Sequence, residues 1–330
     1  MKKIFALLLS AALLVTLLAA CGGGNTTDTD TDTQEPAADA STTQVEEQEP
    51  DTGDASKDDP LNQDEIGEKE LLVVSFGTSY NDSRRETIGA IEKAMQTAFP
   101  DYSVRRAFTS QIIIDHVKDR DGVTIDNVEQ ALERAVNNGV KTLVVQPTHL
   151  MNGLEYEELT DELAKYSDSF EKIAIGDPLL TSDADFEAVM TAITDATKDA
   201  ADGKTAICFM GHGTTADSNS VYSKMQTLLT DKGFNDYYVG TVEATPSLDD
   251  VLAAVQKGSY EKVILRPLMI VAGDHANTVM AGDEDDSWKS TFEKAGYTVD
   301  CQVEGLGQLE AIQQLFVEHA KAAIASAEAE

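Results

Sequence analysis

Positive charge is scarce in this sequence. Its 330 residues hold 25 Lys and Arg against 59 Asp and Glu, a formal net charge of −34. Nucleic-acid binding needs basic patches that neutralise phosphates, so that class is excluded. Cysteine is nearly absent too. Beyond Cys21 only Cys208 and Cys301 remain, so no disulfide framework is demanded. Cys208 sits in the apolar run Ala206-Ile207-Cys208-Phe209-Met210 and reads as a buried free thiol. Histidine is rare, five in all, which makes each one worth placing. The apolar run at the start, Phe5 to Leu18, is short for a membrane span.

That run belongs to a leader, "MKKIFALLLSAALLVTLLAAC". Lys2 and Lys3 form a charged start, an apolar stretch follows, and small residues precede Cys21, which is the secretory pattern. Leu18-Ala19-Ala20-Cys21 resembles the lipobox of bacterial lipoproteins, which are cut before the cysteine and acylated on it. Residues 1–20 are therefore expected to be a signal peptide. Cys21 would anchor the chain to a membrane, outside the cytoplasm, without spanning it. Residues 21–69 are rich in Thr, Asp, Glu and Ser. From Gly22 to Glu70 sixteen acidic residues face only Lys57 and Lys69. Such a chain is expected to remain a disordered acidic tether. With no apolar face there to contribute, the body from residue 71 onward is expected to fold without it.

In the body, short apolar runs alternate with helical patterns, which indicates βαβ units and parallel sheets. Expected strands include Leu71–Phe76, Tyr102–Phe108, Lys141–Gln146, Thr205–Met210, Tyr237–Glu243 and Lys262–Leu268. Expected helices include Arg84–Phe99 and a last helix from Leu309 to the C-terminus. The order repeats. "SFGTS" (75–79) answers "GHGTT" (211–215), and "KTLVVQPTHLMNGLE" (141–155) answers "EKVILRPLMIVAGDH" (261–275). The fold class is thus α/β, two similar halves with a cleft between them, at 70–202 and 203–330. Ligands of such sheets sit at the carboxyl ends of strands. His212, Glu243 and His275 all come at or just after such ends, and only in the second half. Two imidazoles and a carboxylate make a ligand set for a divalent transition metal that leaves positions open. The repeat sets Phe76 opposite His212 and Glu155 opposite His275.

"LLVVSFGTSYNDSRRETI", "RAFTSQIIIDHVKDRDG", "FMGHGT" and "LMIVAGDHANTVMAGDEDDSWK" resemble the anaerobic cobalt chelatases, class II enzymes that insert Co²⁺ into sirohydrochlorin without a nucleotide. The resemblance runs through residues 70–325. It implies two similar α/β domains with the active cleft between them, and it places the family's histidines on His212 and His275. Its metal-binding glutamate falls on Glu243, in "GTVEATPS". A second cleft glutamate falls on Glu155, in "HLMNGLEYEEL", and His149 matches another family histidine. The resemblance implies a tetrapyrrole substrate and cobalamin synthesis. His212, His275 and Glu155 would be catalytic, and Ser75, Thr78 and Thr214 would offer hydroxyls to substrate carboxylates.

Several readings stay open. Arg105 and Arg106 would assist at those carboxylates or be solvated at an edge. Fe²⁺, Ni²⁺ and Zn²⁺ suit the ligands as Co²⁺ does. A homo-oligomer is compatible with the sequence. His116 and His319 read as surface residues. The alternative to an enzyme is a surface lipoprotein that binds a tetrapyrrole or a metal for uptake, using the same cleft without turnover.

Overall fold

The computed structural model describes residues 51–64 and 66–329. The expected signal peptide, Cys21 and the tether as far as residue 50 lie outside the described residues. Among the described residues, eight strands form two sheets. The first holds β1 (Lys69–Ser75), β2 (Ser103–Phe108), β3 (Thr142–Pro147) and β4 (Lys172–Ile175). The second holds β5 (Thr205–Gly211), β6 (Tyr237–Thr241), β7 (Lys262–Pro267) and β8 (Thr298–Cys301). The strand orders are β2-β1-β3-β4 and β6-β5-β7-β8, and every pairing is parallel. The duplication reaches the register: Val74 pairs with Pro147 as Met210 pairs with Pro267. The central strands β1, β3, β5 and β7 are buried nearly throughout, and β1, β3 and β7 are the runs of Val, Ile and Leu.

Among the described residues, ten α-helices connect and cover the sheets: α1 (Asn81–Glu86), α2 (Ile88–Ala98), α3 (Gln111–Asp121), α4 (Val128–Asn137), α5 (Leu154–Ala164), α6 (Asp183–Thr197), α7 (Ser220–Asp231), α8 (Leu248–Val255), α9 (Trp288–Lys294) and α10 (Glu310–Ala329). The helix expected at 84–99 is two helices that meet at Thr87, whose hydroxyl turns back on the Ser83 carbonyl at 2.5 Å. One continuous apolar core joins Leu71 and Val73 of β1 to Ile207 and Phe209 of β5, through side chains of α2, α6, α7 and α10. Separate clusters line the outer face of each sheet, under α4 and α5 in the first half and under α8 and α9 in the second. The helices that end the two halves cross over. α10 packs on β3 and β4 of the first sheet, and Thr197, at the end of α6, bonds Tyr237 of β6 at 2.9 Å.

The chain from residue 51 to 69, expected above to be tether, is part of the body. The Leu61 carbonyl accepts from the Arg106 nitrogen of edge strand β2 at 3.1 Å, and Gln63 donates to the Val104 carbonyl at 3.3 Å. The Asp58 carboxylate meets Arg84 Nε at 2.6 Å and the Arg106 guanidinium at 2.7 and 3.0 Å. Burial alone would raise that carboxyl, but Arg106 and Arg84 hold it below the usual carboxylate range. Acidic composition here marks a counter-ion for two buried guanidiniums, not a solvated chain. Arg105 and Arg106 are accordingly neither substrate-facing nor solvated. Arg106 also pairs with Glu92 at 2.7 Å, and Arg105 lies 3.4 Å from Glu70 and 3.7 Å from Asp126, all of them buried. Cys208 is buried and free, and Cys301 is free too. Both are level with Leu265, on strands either side of β7. At roughly 4.8 Å per strand they stand about 10 Å apart, beyond disulfide reach.

Removing one partner of a buried charge pair leaves the other charge uncompensated, which costs about 3–5 kcal/mol. Asp58→Ala is therefore expected to lower the unfolding free energy by that order in urea titrations. A body that begins at residue 71 should lose at least as much. A body of unchanged stability from residue 71 would restore the tether reading.

Candidate metal centre

The two halves turn their strand ends the same way. Gly77 after β1 and Gly213 after β5 both take the left-handed conformation, with φ of 101° and 87°. Neither has room for a side chain: a Cβ on Gly77 would run into the Phe108 ring, and one on Gly213 would lie 3.0 Å from the Ala244 nitrogen. The threonine after each closes the same small turn. Thr78 Oγ1 accepts from the Tyr80 nitrogen at 3.2 Å, and Thr214 Oγ1 accepts from the Ala216 nitrogen at 3.2 Å. What differs is the residue before the glycine, Phe76 in one half and His212 in the other.

His212, Glu243 and His275 are brought together. One ligand atom from each lies within 4.8 Å of the others. His212 leaves β5 at its end, and the Glu243 nitrogen bonds the His212 carbonyl at 3.0 Å, so two of the donors share one backbone hinge. His212 Nδ1 lies 3.0 Å from the Gly213 carbonyl. A carbonyl only accepts, so Nδ1 carries the proton and Nε2 keeps its lone pair for a cation. His275 opens a π-helical turn, His275–Met280, that no periodicity announces. π-turns recur at functional sites because they reset side-chain direction within a helix. The two imidazole rings stand edge to face with centroids 4.6 Å apart. Partial burial and the His212 ring hold the His275 imidazole below the usual histidine range, against the pull of Asp274 and Glu243. His275 is thus neutral and open to a metal at neutral pH.

The first half braces this cluster. Ser83 Oγ accepts from the Ala272 nitrogen at 2.9 Å, and Thr78 Oγ1 packs against Gly273, where a Cβ would lie 3.0 Å away. Nothing in the sequence marks Ser83 for this, since the bond joins residues 189 apart. Tyr222 lends its hydroxyl to the Gly213 nitrogen at 3.3 Å. Glu155 sits at the seam: its charge acts on His149 in the first half and on Tyr222 in the second. The neighbouring Gly153 abuts Ser218, whose Oγ would lie 3.5 Å from a Cβ there.

Three expectations need correction. Ser75 and Thr78 are buried. Ser75 bonds Thr148 at 2.7 Å, so these hydroxyls build the turn and are not offered to a ligand. Thr214 is half-buried and spends its hydroxyl in its own turn. His319 is no free surface residue. Its Nε2 lies 3.0 Å from Asp185 and its Nδ1 3.1 Å from the Asp177 carbonyl, tying α10 to the start of α6. His116 is exposed. His149 has both ring nitrogens shut from water without a hydrogen-bond partner, and burial pushes its imidazole down to about 4 despite Glu155 nearby.

His212→Ala or His275→Ala is expected to weaken Co²⁺ binding at least about 10–100-fold, the loss typical even of groups that only support a ligand. The melting temperature should stay near wild type, since neither side chain belongs to an apolar core. Cobalt titrations with parallel melts check both. Unchanged affinity, or a collapsed melting temperature, would make these histidines structural.

Residues 69–325 match the cobalt chelatase (CbiK) family. The chain is 37% identical over 251 residues to the sirohydrochlorin cobaltochelatase of Salmonella typhimurium, covering 76% of this chain and 94% of that one. It is 29% identical over 260 residues to the sirohydrochlorin cobaltochelatase CbiKC of Nitratidesulfovibrio vulgaris, covering 78% and 91%. SirB from Bacillus subtilis, solved with Fe³⁺, shares the fold at a TM-score of 0.57 and 15% identity, over 80% of this chain and 98% of that one. With this match spanning both sheets and the whole ligand cluster, the chain belongs to the cobalt chelatase (CbiK) family.

Proposed function

We propose that this protein is a sirohydrochlorin cobaltochelatase, the activity its relatives are named for, and that it serves the cobalt-insertion step of cobalamin synthesis. The observation that carries this is the convergence of His212, Glu243 and His275, within a family-matched body, at the rim where the halves meet. Insertion replaces two pyrrole N–H protons by one Co²⁺, so the site must hold a dication and then accept protons. His212, Glu243 and His275 hold the cobalt and leave its other positions to water and macrocycle nitrogens. Each imidazole freed as the metal leaves offers a ring nitrogen that can take a pyrrole proton. Two imidazoles match two protons. Glu155, across the seam, takes a proton onward to solvent.

Sirohydrochlorin and Co²⁺ mixed with the protein should show the absorption change of metallation at many equivalents per protein. Change limited to one equivalent would mark a carrier. We also infer that the leader and Cys21 make this a lipid-anchored chelatase outside the cytoplasm, on the strength of Leu18-Ala19-Ala20-Cys21 behind a charged, apolar start. In cell fractionation, Cys21→Ser should move the protein out of the membrane fraction or leave it unprocessed. A variant that behaves like wild type would end that reading.

A further inference from the structure

Among the described residues, four large apolar side chains are exposed: Phe76 at 49%, Ile112 at 82%, Val136 at 40% and Leu154 at 54%. Val136 lies on α4, away from the rim. The other three do not scatter. Phe76 follows β1, Ile112 opens α3 after β2, and Leu154 opens α5 after β3. These strands are neighbours in the order β2-β1-β3, so all three residues stand on one sheet edge, the edge that carries the seam. We propose that Phe76, Ile112 and Leu154 form an apolar shelf that takes the flat face of the tetrapyrrole while the opposite rim holds the metal.

The duplication supports this assignment. With Gly77 on Gly213 and Gly153 on Gly273, Phe76 answers His212 and Leu154 answers Asp274, the neighbour of His275. Where the second rim carries His212 and Asp274-His275, the first carries exposed Phe76 and Leu154, with Glu155 beside Leu154. The rims touch, through Thr78 against Gly273 and Gly153 against Ser218, so shelf and donors border one cleft. The shelf is also held still. The Phe76 carbonyl accepts from the Ser110 nitrogen at 3.3 Å, and the left-handed Gly77 beside it packs so close to the Phe108 ring that no side chain fits there. An exposed aromatic on a fixed turn suits a π face, by offset stacking and area burial. Ion pairing with the substrate's acidic edge finds little on this rim, because Arg84, Arg105 and Arg106 are committed to buried carboxylates.

The proposal rests on the chelatase reading, and the test separates the two. Sirohydrochlorin is titrated without metal into the full-length wild type and into Phe76→Ala, Leu154→Ala and the double variant. Co²⁺ affinity and melting are read in parallel. Burial of one such side chain corresponds to roughly tenfold or more in affinity. Each single variant should thus bind sirohydrochlorin about tenfold more weakly and the double variant more weakly still. Cobalt affinity and melting should not move. Phe76→Trp, which keeps the aromatic face, should retain tight binding. Normal wild-type metallation with unchanged macrocycle affinity in the double variant overturns the shelf alone. A wild type that neither binds nor metallates sirohydrochlorin overturns the chelatase reading and the shelf with it. Loss, in these variants, of binding to phosphatidylcholine–phosphatidylglycerol vesicles with intact macrocycle affinity would make the shelf a membrane contact and also overturn it.

Discussion

The buried Arg84 guanidinium is where the molecule is tied together. It meets the Asp58 carboxylate at 2.6 Å and the Thr78 carbonyl at 3.0 Å, and it also bonds the Asn81 side chain. A buried cation costs several kcal/mol unless its donors are satisfied by good geometry. Satisfying it fixes three things at once: the segment before β1, the first turn of α1 and the turn that follows β1. Its neighbour Ser83 then holds the Ala272 nitrogen, three residues before His275. The candidate metal ligand on the second sheet is therefore placed by a charge buried beside the first.

Duplication supplied one scaffold twice, and the difference between the copies supplies the chemistry. Gly77 and Gly213, Thr78 and Thr214, Pro147 and Pro267 keep the same conformational jobs in both halves. These positions carry the backbone, and at Gly77 and Gly213 a side chain has no room. The positions beside them are free of that duty and have diverged, Phe76 from His212 and Glu155 from His275. A cleft between two such halves presents unlike walls to whatever enters it. On the proposed reading, a wall of metal donors facing an apolar wall would match a substrate that is flat, apolar on its faces and dianionic at its centre once deprotonated.

Much of this was legible in the chain. Buried strands announce themselves by continuous apolar runs, and a twofold repeat of glycine, threonine and proline aligned the halves and put His212, Glu243 and His275 on one edge. Ser75 and Thr78 were misread for the same local reason. A hydroxyl near a strand end looks available until Thr148 or a backbone nitrogen is found beside it. The remaining gaps are long-range. Asp58 resembles its acidic neighbours in sequence, and only the fold brings it to Arg84 and Arg106. Arg105 and Arg106 look like edge charges until Glu70 and Glu92 are placed. The return of α10 to the first sheet, with His319 bonding Asp185, leaves no periodic trace, because an amphipathic helix does not record which sheet it covers.

The character of the cluster bears on whether it keeps a metal or passes it on. A resident structural site is closed, fully ligated and braced by further hydrogen bonds. Here the His212 and Glu243 side chains are about half exposed, at 47% and 57%, and among the described residues the His212 imidazole is braced by the Gly213 carbonyl, a backbone group and not a second carboxylate. Two neutral imidazoles and one carboxylate leave a bound dication with a net positive charge. Tighter holding would be easy to arrange, since this chain carries 59 acidic residues, yet among the described residues Glu243 alone joins the two histidines. Binding the ion more strongly in the ground state would deepen the well from which insertion must lift it, without helping the transfer. Sparse ligation by groups that become bases on release suits a cation in transit, and it makes the departure of the metal and the removal of the two protons successive uses of the same side chains.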